Sequence, residues 1–235
     1  MEHKIKNIME HKIKNIMEHK IPKIIHLIWF GGNRPKKFDY LVNEIKRINF
    51  DYKIIEWNEN NIDFDLRRKD AIDMCNNMGA KSDILRFEVL YKYGGIYMDY
   101  DFLQIKKLDD LLDNDFFAGA CEITDNEVWN SIIGSTPGNI ICECFLNSLN
   151  IGTPIEHSDI NGVMTKTGPY FFKKIIDENN LKDKFKYYGG KYFYPFPAIE
   201  RGRVNELNEG QLNYAKTFID DKTYCIHLHT TTWQV

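Results

Sequence analysis

Residues 80–102, AKSDILRFEVLYKYGGIYMDYDF, change their hydrophobic period in mid-run, and that change restricts the folds open to the chain. Ile84, Phe87 and Tyr91 recur at helical spacing, which predicts a helix with one buried face. Ser82 is placed to cap it by accepting a free first-turn N–H. Asp83 then falls in the first turn, where the helix dipole favours an anion. Gly94 and Gly95 supply the expected C-terminal stop. Beyond them the period becomes two, so that Ile96, Met98, Tyr100 and Phe102 face one way and Tyr97, Asp99 and Asp101 the other.

Two carboxylates two apart on a strand share a face, with Cα atoms roughly 7 Å apart. On a helix they would diverge. Such a pair can hold a divalent cation, and hard oxygen ligands suit Mg²⁺ or Mn²⁺, which also share phosphate oxygens. Asp83 and Arg86 stand three apart on the predicted helix and are therefore neighbours. Alone, Asp-x-Asp is weak evidence, because the tripeptide is common and a polar strand end with a surface salt bridge accounts for it.

The flanking segments extend the alternation of strands and helices. Residues 23–30, KIIHLIWF, are apolar, β-branched or aromatic and predict the first buried strand, closed by Gly31-Gly32-Asn33. Residues 38–48 have helical spacing and 52–57 read as a second strand, so the chain opens as strand, helix, strand, the start of a parallel sheet. Ligands of such sheets sit at the carboxyl ends of the strands. Trp29 lies at such an end, where it is either core or an aromatic platform for a base. Residues 65–77 read as helix, 116–121 and 127–135 as strands, and 139–149 and 167–180 as helices, the last with Pro169 early, where its missing N–H costs little. Asn130 is either a turn residue bonded to its own backbone or a ligand contact. Residues 224–228 alternate as a strand, so His227 and His229, with Thr231 if the strand continues, project to one side.

SDILRFEVLYKYGGIYMDYD resembles the DxD sugar-binding region of retaining nucleotide-sugar glycosyltransferases, the group of yeast outer-chain mannosyltransferases, bacterial capsule and lipopolysaccharide sugar transferases and the glucosyltransferase domains of large clostridial toxins. IHLIWFGGN resembles their opening strand, NSIIGSTPGN the stretch after their DxD strand, TGP a later helix start, YFYPF their late aromatic-Pro strand, and His-Leu-His-Thr-Thr-Thr-Trp their closing His…Ser-Trp element, with Thr here where Ser is usual. The resemblance implies an α/β fold, a GT-A-like, Rossmann-type mixed sheet flanked by helices in a single domain. It implies a nucleotide-sugar donor, a UDP-sugar before GDP-mannose, a glycan or glycolipid acceptor, and Mn²⁺ or Mg²⁺. Under it Trp29 stacks on the base, and Ser82 and Tyr97 line the nucleotide side. Asp83 and Arg86 hold sugar hydroxyls, with Asn130 against the sugar. Asp99 bridges ribose, sugar and the metal's water shell. Asp101 ligates the metal with His227 or His229, and Thr231 and Trp233 meet the diphosphate.

The 235 residues suit one domain, and at 43% hydrophobic and 14% aromatic they can bury a sizeable core. A net charge of −3 gives no case for nucleic acid. The first three eight-residue blocks repeat as MEHKIKNI, MEHKIKNI, MEHKIPKI. That period fits neither helix nor heptad, so residues 1–16 are read as a duplicated extension, its histidines without a metal role, and 17–235 as the catalytic domain. Five cysteines without a CxxC read as reduced thiols of a cytoplasmic protein. No apolar run is long enough to span a membrane, and the expected place is cytoplasmic, with peripheral association at the inner membrane face allowed. Two rivals stand beside the transferase. One is a catalytically inactive sugar- or nucleotide-binding protein on the same fold. The other is an aspartyl phosphatase or phosphotransferase, whose Asp-x-Asp should end the first strand and precede Thr or Val, whereas Phe102 follows here in mid-chain.

Overall fold

The computed structural model describes residues 19–120 and 128–230. Its centre is a six-stranded mixed sheet in the order β2-β1-β3-β6-β5-β7, formed by β1 (Ile24–Ile28), β2 (Lys53–Trp57), β3 (Gly95–Met98), β5 (Phe116–Ala120), β6 (Val128–Ser135) and β7 (Lys186–Tyr188). β1 runs parallel to both β2 and β3, and β5 runs parallel to β7, while β6 pairs antiparallel with β3 and β5. β4 (Phe102–Gln104) leaves this sheet and pairs antiparallel with β8 (Cys225–His227). The expected mixed α/β sheet flanked by helices is therefore present.

Period-two alternation explains the layers. Tyr97 and Ile133 belong to the core on one face of the sheet, Ile96, Met98 and Ile132 to the core on the other. The first core is closed by the helices α3 (Met78–Tyr93), α4 (Ile140–Ser148) and α6 (Pro169–Glu178), the second by α1 (Asp39–Ile48) and the segment around Leu108–Leu112. α2 (Lys69–Asp73) is shorter than the helix expected over 65–77. α5 (Ile160–Lys166), α7 (Gly190–Phe193) and α8 (Glu209–Lys216) complete the chain.

Four expectations need correction. Asn77, not Ser82, caps the central helix, accepting from the N–H groups of Gly79 at 2.8 Å and Ala80 at 3.2 Å, so Ser82 sits inside the helix. The helix is buried nearly all round from Asp83 to Leu90 because α2, α4 and the sheet enclose it, and the single buried stripe is too narrow a description. The strand ends at Met98; residues 99–101 turn, with Phe102 N–H donating to the Asp99 carbonyl at 3.4 Å, before β4 begins in the other sheet. Likewise 192–196 is not a strand, since α7 ends at Phe193. Among the described residues no helix is long and apolar enough to cross a membrane.

The junction of α3 and β3 needs its two glycines. Gly94 has φ of 62° and Gly95 of 99°, and a Cβ on Gly95 would stand 2.7 Å from the Ile24 carbonyl oxygen. Beside it lies a buried knot. The Trp57 indole N–H donates to His26 Nδ1 at 2.9 Å, and His26 Nε2–H donates to the Gly94 carbonyl at 2.8 Å, tying β2, β1 and the end of α3 together. Nδ1 must stay unprotonated to accept, and burial pushes the imidazole pKa down to about 4. Unfolded chain therefore binds a proton on His26 between pH 6.5 and 4 that native protein refuses, so stability from this site is complete above pH 6.5 and falls as pH drops. We expect a loss of up to about 3 kcal/mol across that window, measured by urea unfolding, and a smaller loss in His26→Gln. Parallel pH profiles for the two proteins would contradict the assignment.

Candidate active site

A cleft of about 510 Å³ opens at the carboxyl ends of β1 and β3. Trp29, Ser82, Asp83, Arg86, Tyr97, Asp99, Asp101, Asn130, His227 and His229 all line it. Thr231 and Trp233 lie outside the described residues. Residues widely separated in sequence thus converge because α3, the turn after β3, β6 and the end of β8 meet there.

Its floor is the Asp83–Arg86 pair. Arg86 Nη2 lies 2.9 Å from Asp83 Oδ1, with both side chains under a tenth exposed. Asn130 Nδ2 also donates to Oδ1, at 2.9 Å, and Thr167 Oγ1 donates to Oδ2, at 3.1 Å. Arg86 donates onward to the Asn130 carbonyl at 2.6 Å and lies 4.3 Å from the centre of the Tyr97 ring. Burial raises the Asp83 pKa to about 6, although the Arg86 charge opposes the shift. Asp83 is therefore held by its neighbours. Thr167 was visible in the sequence only as part of Thr-Gly-Pro, and its bond to Asp83 spans 84 residues.

Above the floor stand the acids of the DxD turn. Asp99, Asp101 and His227 offer three ligand atoms that lie within 4.8 Å of one another. His227 Nε2 is 3.1 Å from Asp101 Oδ1 and 3.7 Å from Asp99 Oδ2. Asp101 Oδ2 accepts from the backbone N–H of Thr230 at 2.8 Å and its hydroxyl at 3.1 Å. Burial alone would raise the Asp101 pKa, but the His227 charge and these bonds hold it well below the usual carboxylate range. Burial would lower the His227 pKa, but the two acids reverse this and push it up. The cluster calls for a positive charge, and two hard carboxylates with one imidazole suit Mn²⁺ or Mg²⁺.

The two histidines do not share a strand face as expected. β8 stops at His227, which is paired with Phe102, and His229 adopts φ of 54°. Its ring stands edge-on to His227 with centroids 4.2 Å apart. His229 lines the cleft but stays outside the three-residue cluster. Tyr97 donates its hydroxyl to Asp99 Oδ1, and Trp29 packs against Phe38 and Tyr100 at 5.8 and 6.0 Å between centroids. Ser131, bonded to Tyr194 at 2.8 Å, was not singled out from sequence, because a Ser on a strand carries no signal of its own.

Replacing Arg86 by Ala leaves Asp83 charged and unpaired in the interior. The expected cost is about 3–5 kcal/mol in chemical denaturation, and Asp83→Asn combined with Arg86→Ala should recover part of it. An Arg86→Ala protein as stable as wild type would show that the pair is not what holds the floor.

Residues 35–118 match the family described as the glycosyltransferase sugar-binding region containing the DXD motif. An uncharacterized glycosyltransferase of Acanthamoeba polyphaga mimivirus is 25% identical over 225 residues, covering 90% of this chain and 83% of that protein. Inositol phosphoceramide mannosyltransferase 3 of Schizosaccharomyces pombe is 26% identical over 160 residues, 66% of this chain and 44% of that protein, so the match reaches less than half of that relative. The ligand-free glycosyltransferase domain of the YGT toxin superposes with a TM-score of 0.51 at 12% identity, over 86% of this chain and 90% of that one, a likeness of fold alone. With the DXD turn, its histidine partner and the mixed sheet that carries them, the chain is a glycosyltransferase, similar over residues 35–118 to the DXD-containing sugar-binding region and in fold to the GT-A enzymes.

Proposed function

We propose that the chain is a metal-dependent, retaining hexosyltransferase that takes its sugar from a nucleotide sugar, with UDP as the carrier, and passes it to a glycan or glycolipid hydroxyl in cell-surface polysaccharide synthesis. The observation that carries this reading is one cleft holding the Asp99–Asp101–His227 cluster beside the buried Asp83–Arg86 pair and an aromatic wall at Trp29. Asp101 and His227, with Asp99, would hold Mn²⁺ or Mg²⁺, and the bound ion would act as a Lewis acid toward the diphosphate leaving group. His229 would support His227 by ring contact. Trp29 would offer its ring to the base, and Ser82 and Tyr97 the nucleotide wall. Arg86, Asp83 and Asn130 form a polar surface whose mutual bonds fix the directions that sugar hydroxyls meet. Thr231 and Trp233 are proposed as donors to the diphosphate.

Retention is supported by how fully the carboxylates of the cleft are engaged. Asp83 is bonded to Arg86, Asn130 and Thr167, Asp101 to His227 and Thr230, and Asp99 to Tyr97. None stands free as a nucleophile or base. The acceptor oxygen would then attack from the face the diphosphate leaves. The bond from the anomeric carbon to the β-phosphate oxygen breaks, the new glycosidic bond forms, and the departing phosphate oxygen takes the acceptor's proton. GDP-mannose is the second donor reading, favoured by the mannosyltransferase among the relatives. The four described cysteines are free thiols, which fits a cytoplasmic setting, with the reaction at the inner membrane face where a glycolipid acceptor would lie. Residues 1–16 remain proposed as an extension outside a catalytic domain of 17–235.

UDP-Glc, UDP-Gal, UDP-GlcNAc, UDP-GalNAc and GDP-Man, each incubated with protein and Mn²⁺, should include one donor that is slowly hydrolysed to free nucleoside diphosphate, and EDTA should abolish this. Asp101→Ala should reduce that turnover at least about 100-fold with unchanged circular dichroism, while His227→Ala should weaken metal-assisted diphosphate binding more than His229→Ala does. No hydrolysis of any donor, with no calorimetric binding of UDP or GDP, would replace the transferase by an inactive protein on the same fold.

A further inference from the structure

The cleft wall carries a charged side chain that the reading above does not use. Arg201 lines the cleft from the short 3-10 helix Ala198–Arg203, which has no buried residue of its own. Its neighbours in that segment are spoken for: Glu200 accepts from Arg203 Nε at 2.7 Å and from the Tyr214 hydroxyl at 3.0 Å, and the Arg203 guanidinium lies 5.5 Å from the centre of the Tyr214 ring. These contacts fix the segment and leave Arg201 exposed, without an ion pair among the described residues. The segment lies across the cleft from the acid cluster, since Ala198 and Arg201 line the same cavity as Asp99, Asp101, His227 and His229.

Charge balance says what such a cation is for. Three carboxylates of the cleft, Asp83, Asp99 and Asp101, face one inward guanidinium, Arg86. A divalent ion at the acid cluster would bring these groups to neutrality. A nucleoside diphosphate then adds negative charge, and more of it develops as the sugar leaves. Arg201 is the remaining cationic Lys or Arg side chain among the described residues that line the cleft. A guanidinium is suited to paired phosphate oxygens, because its fork presents parallel donors.

We propose that Arg201 binds the diphosphate of the nucleotide donor and stabilises the charge that develops on it, a specific contact of the sugar-transfer site. This rests on the reading of the cleft as a nucleotide-sugar site. The test is calorimetric binding of UDP and UMP, and of GDP and GMP, with Mn²⁺, to wild type, Arg201→Ala, Arg201→Lys and, as a cation outside the cleft, Lys174→Ala, with thermal melting as the fold control. Loss of a charge-assisted contact predicts a roughly 10-fold weaker diphosphate Kd in Arg201→Ala and a clearly smaller loss for the monophosphate, partial rescue in Arg201→Lys, and no change in Lys174→Ala. Arg201→Ala that binds the diphosphate within twofold of wild type would overturn the proposal while leaving the donor reading standing. So would an equal loss for diphosphate and monophosphate, which would mark a general effect on the cleft. Wild-type protein that binds neither UDP nor GDP would instead remove the donor reading itself.

Discussion

The structure around the cleft depends on two opposite charges kept out of water. A lone buried carboxylate costs several kcal/mol, and a buried guanidinium as much, so neither Asp83 nor Arg86 can sit under the sheet without the other. Even paired, the remaining lone pairs and N–H groups need partners. Asn130 from β6, Thr167 from the turn between α5 and α6, and the Asn130 carbonyl supply them. The pair therefore binds helix, sheet and a distant turn into one floor. Its stiffness follows from its cost, because any movement of one element strands a charge.

On that floor, the ligand cluster is a consequence of where the chain changes sheets. β3 belongs to the six-stranded sheet and β4 to the two-stranded one, so Asp99–Asp101 must form the crossing. The same crossing brings in the histidine. β4 pairs with β8 in a register that sets Phe102 opposite His227, which leaves His227 beside the acid one residue earlier. Thr230 then closes back on Asp101. A continuous strand would have kept the two acids on one face but left no edge for β8 to approach. The turn interrupts the sheet after Met98 and brings His227 to the two acids.

Much of this was legible in the residues. The change of period at Gly94-Gly95 located the helix end and the start of the strand, since positive φ at a close approach admits little else. The strand–helix–strand opening, the parallel pairing of β1 and β2 and the helix expected over 139–149 followed from spacing alone. Ten of the residues singled out from sequence and from the family resemblance line one cleft, from Trp29 through the DXD turn to His229. The exact helix start was missed, since Asn77 and Ser82 are both good caps and only tertiary packing carries the helix one turn further. The strand was extended too far because alternation cannot show that the chain changes partners after Met98.

Sequence by itself thus determined the local periods, the glycine stop and the residue types gathered for the site, because each depends on neighbours within a few positions. Tertiary structure alone decided which histidine joins the acids, as β8 pairing and the positive φ of His229 turn two alternating residues to different tasks. It alone decided that Asp83 is saturated by Thr167 and Asn130, and that Arg201 reaches the cleft wall. These are contacts between segments tens of residues apart. Their geometry is set by burying two cores on opposite faces of one sheet, and no local pattern encodes that distance.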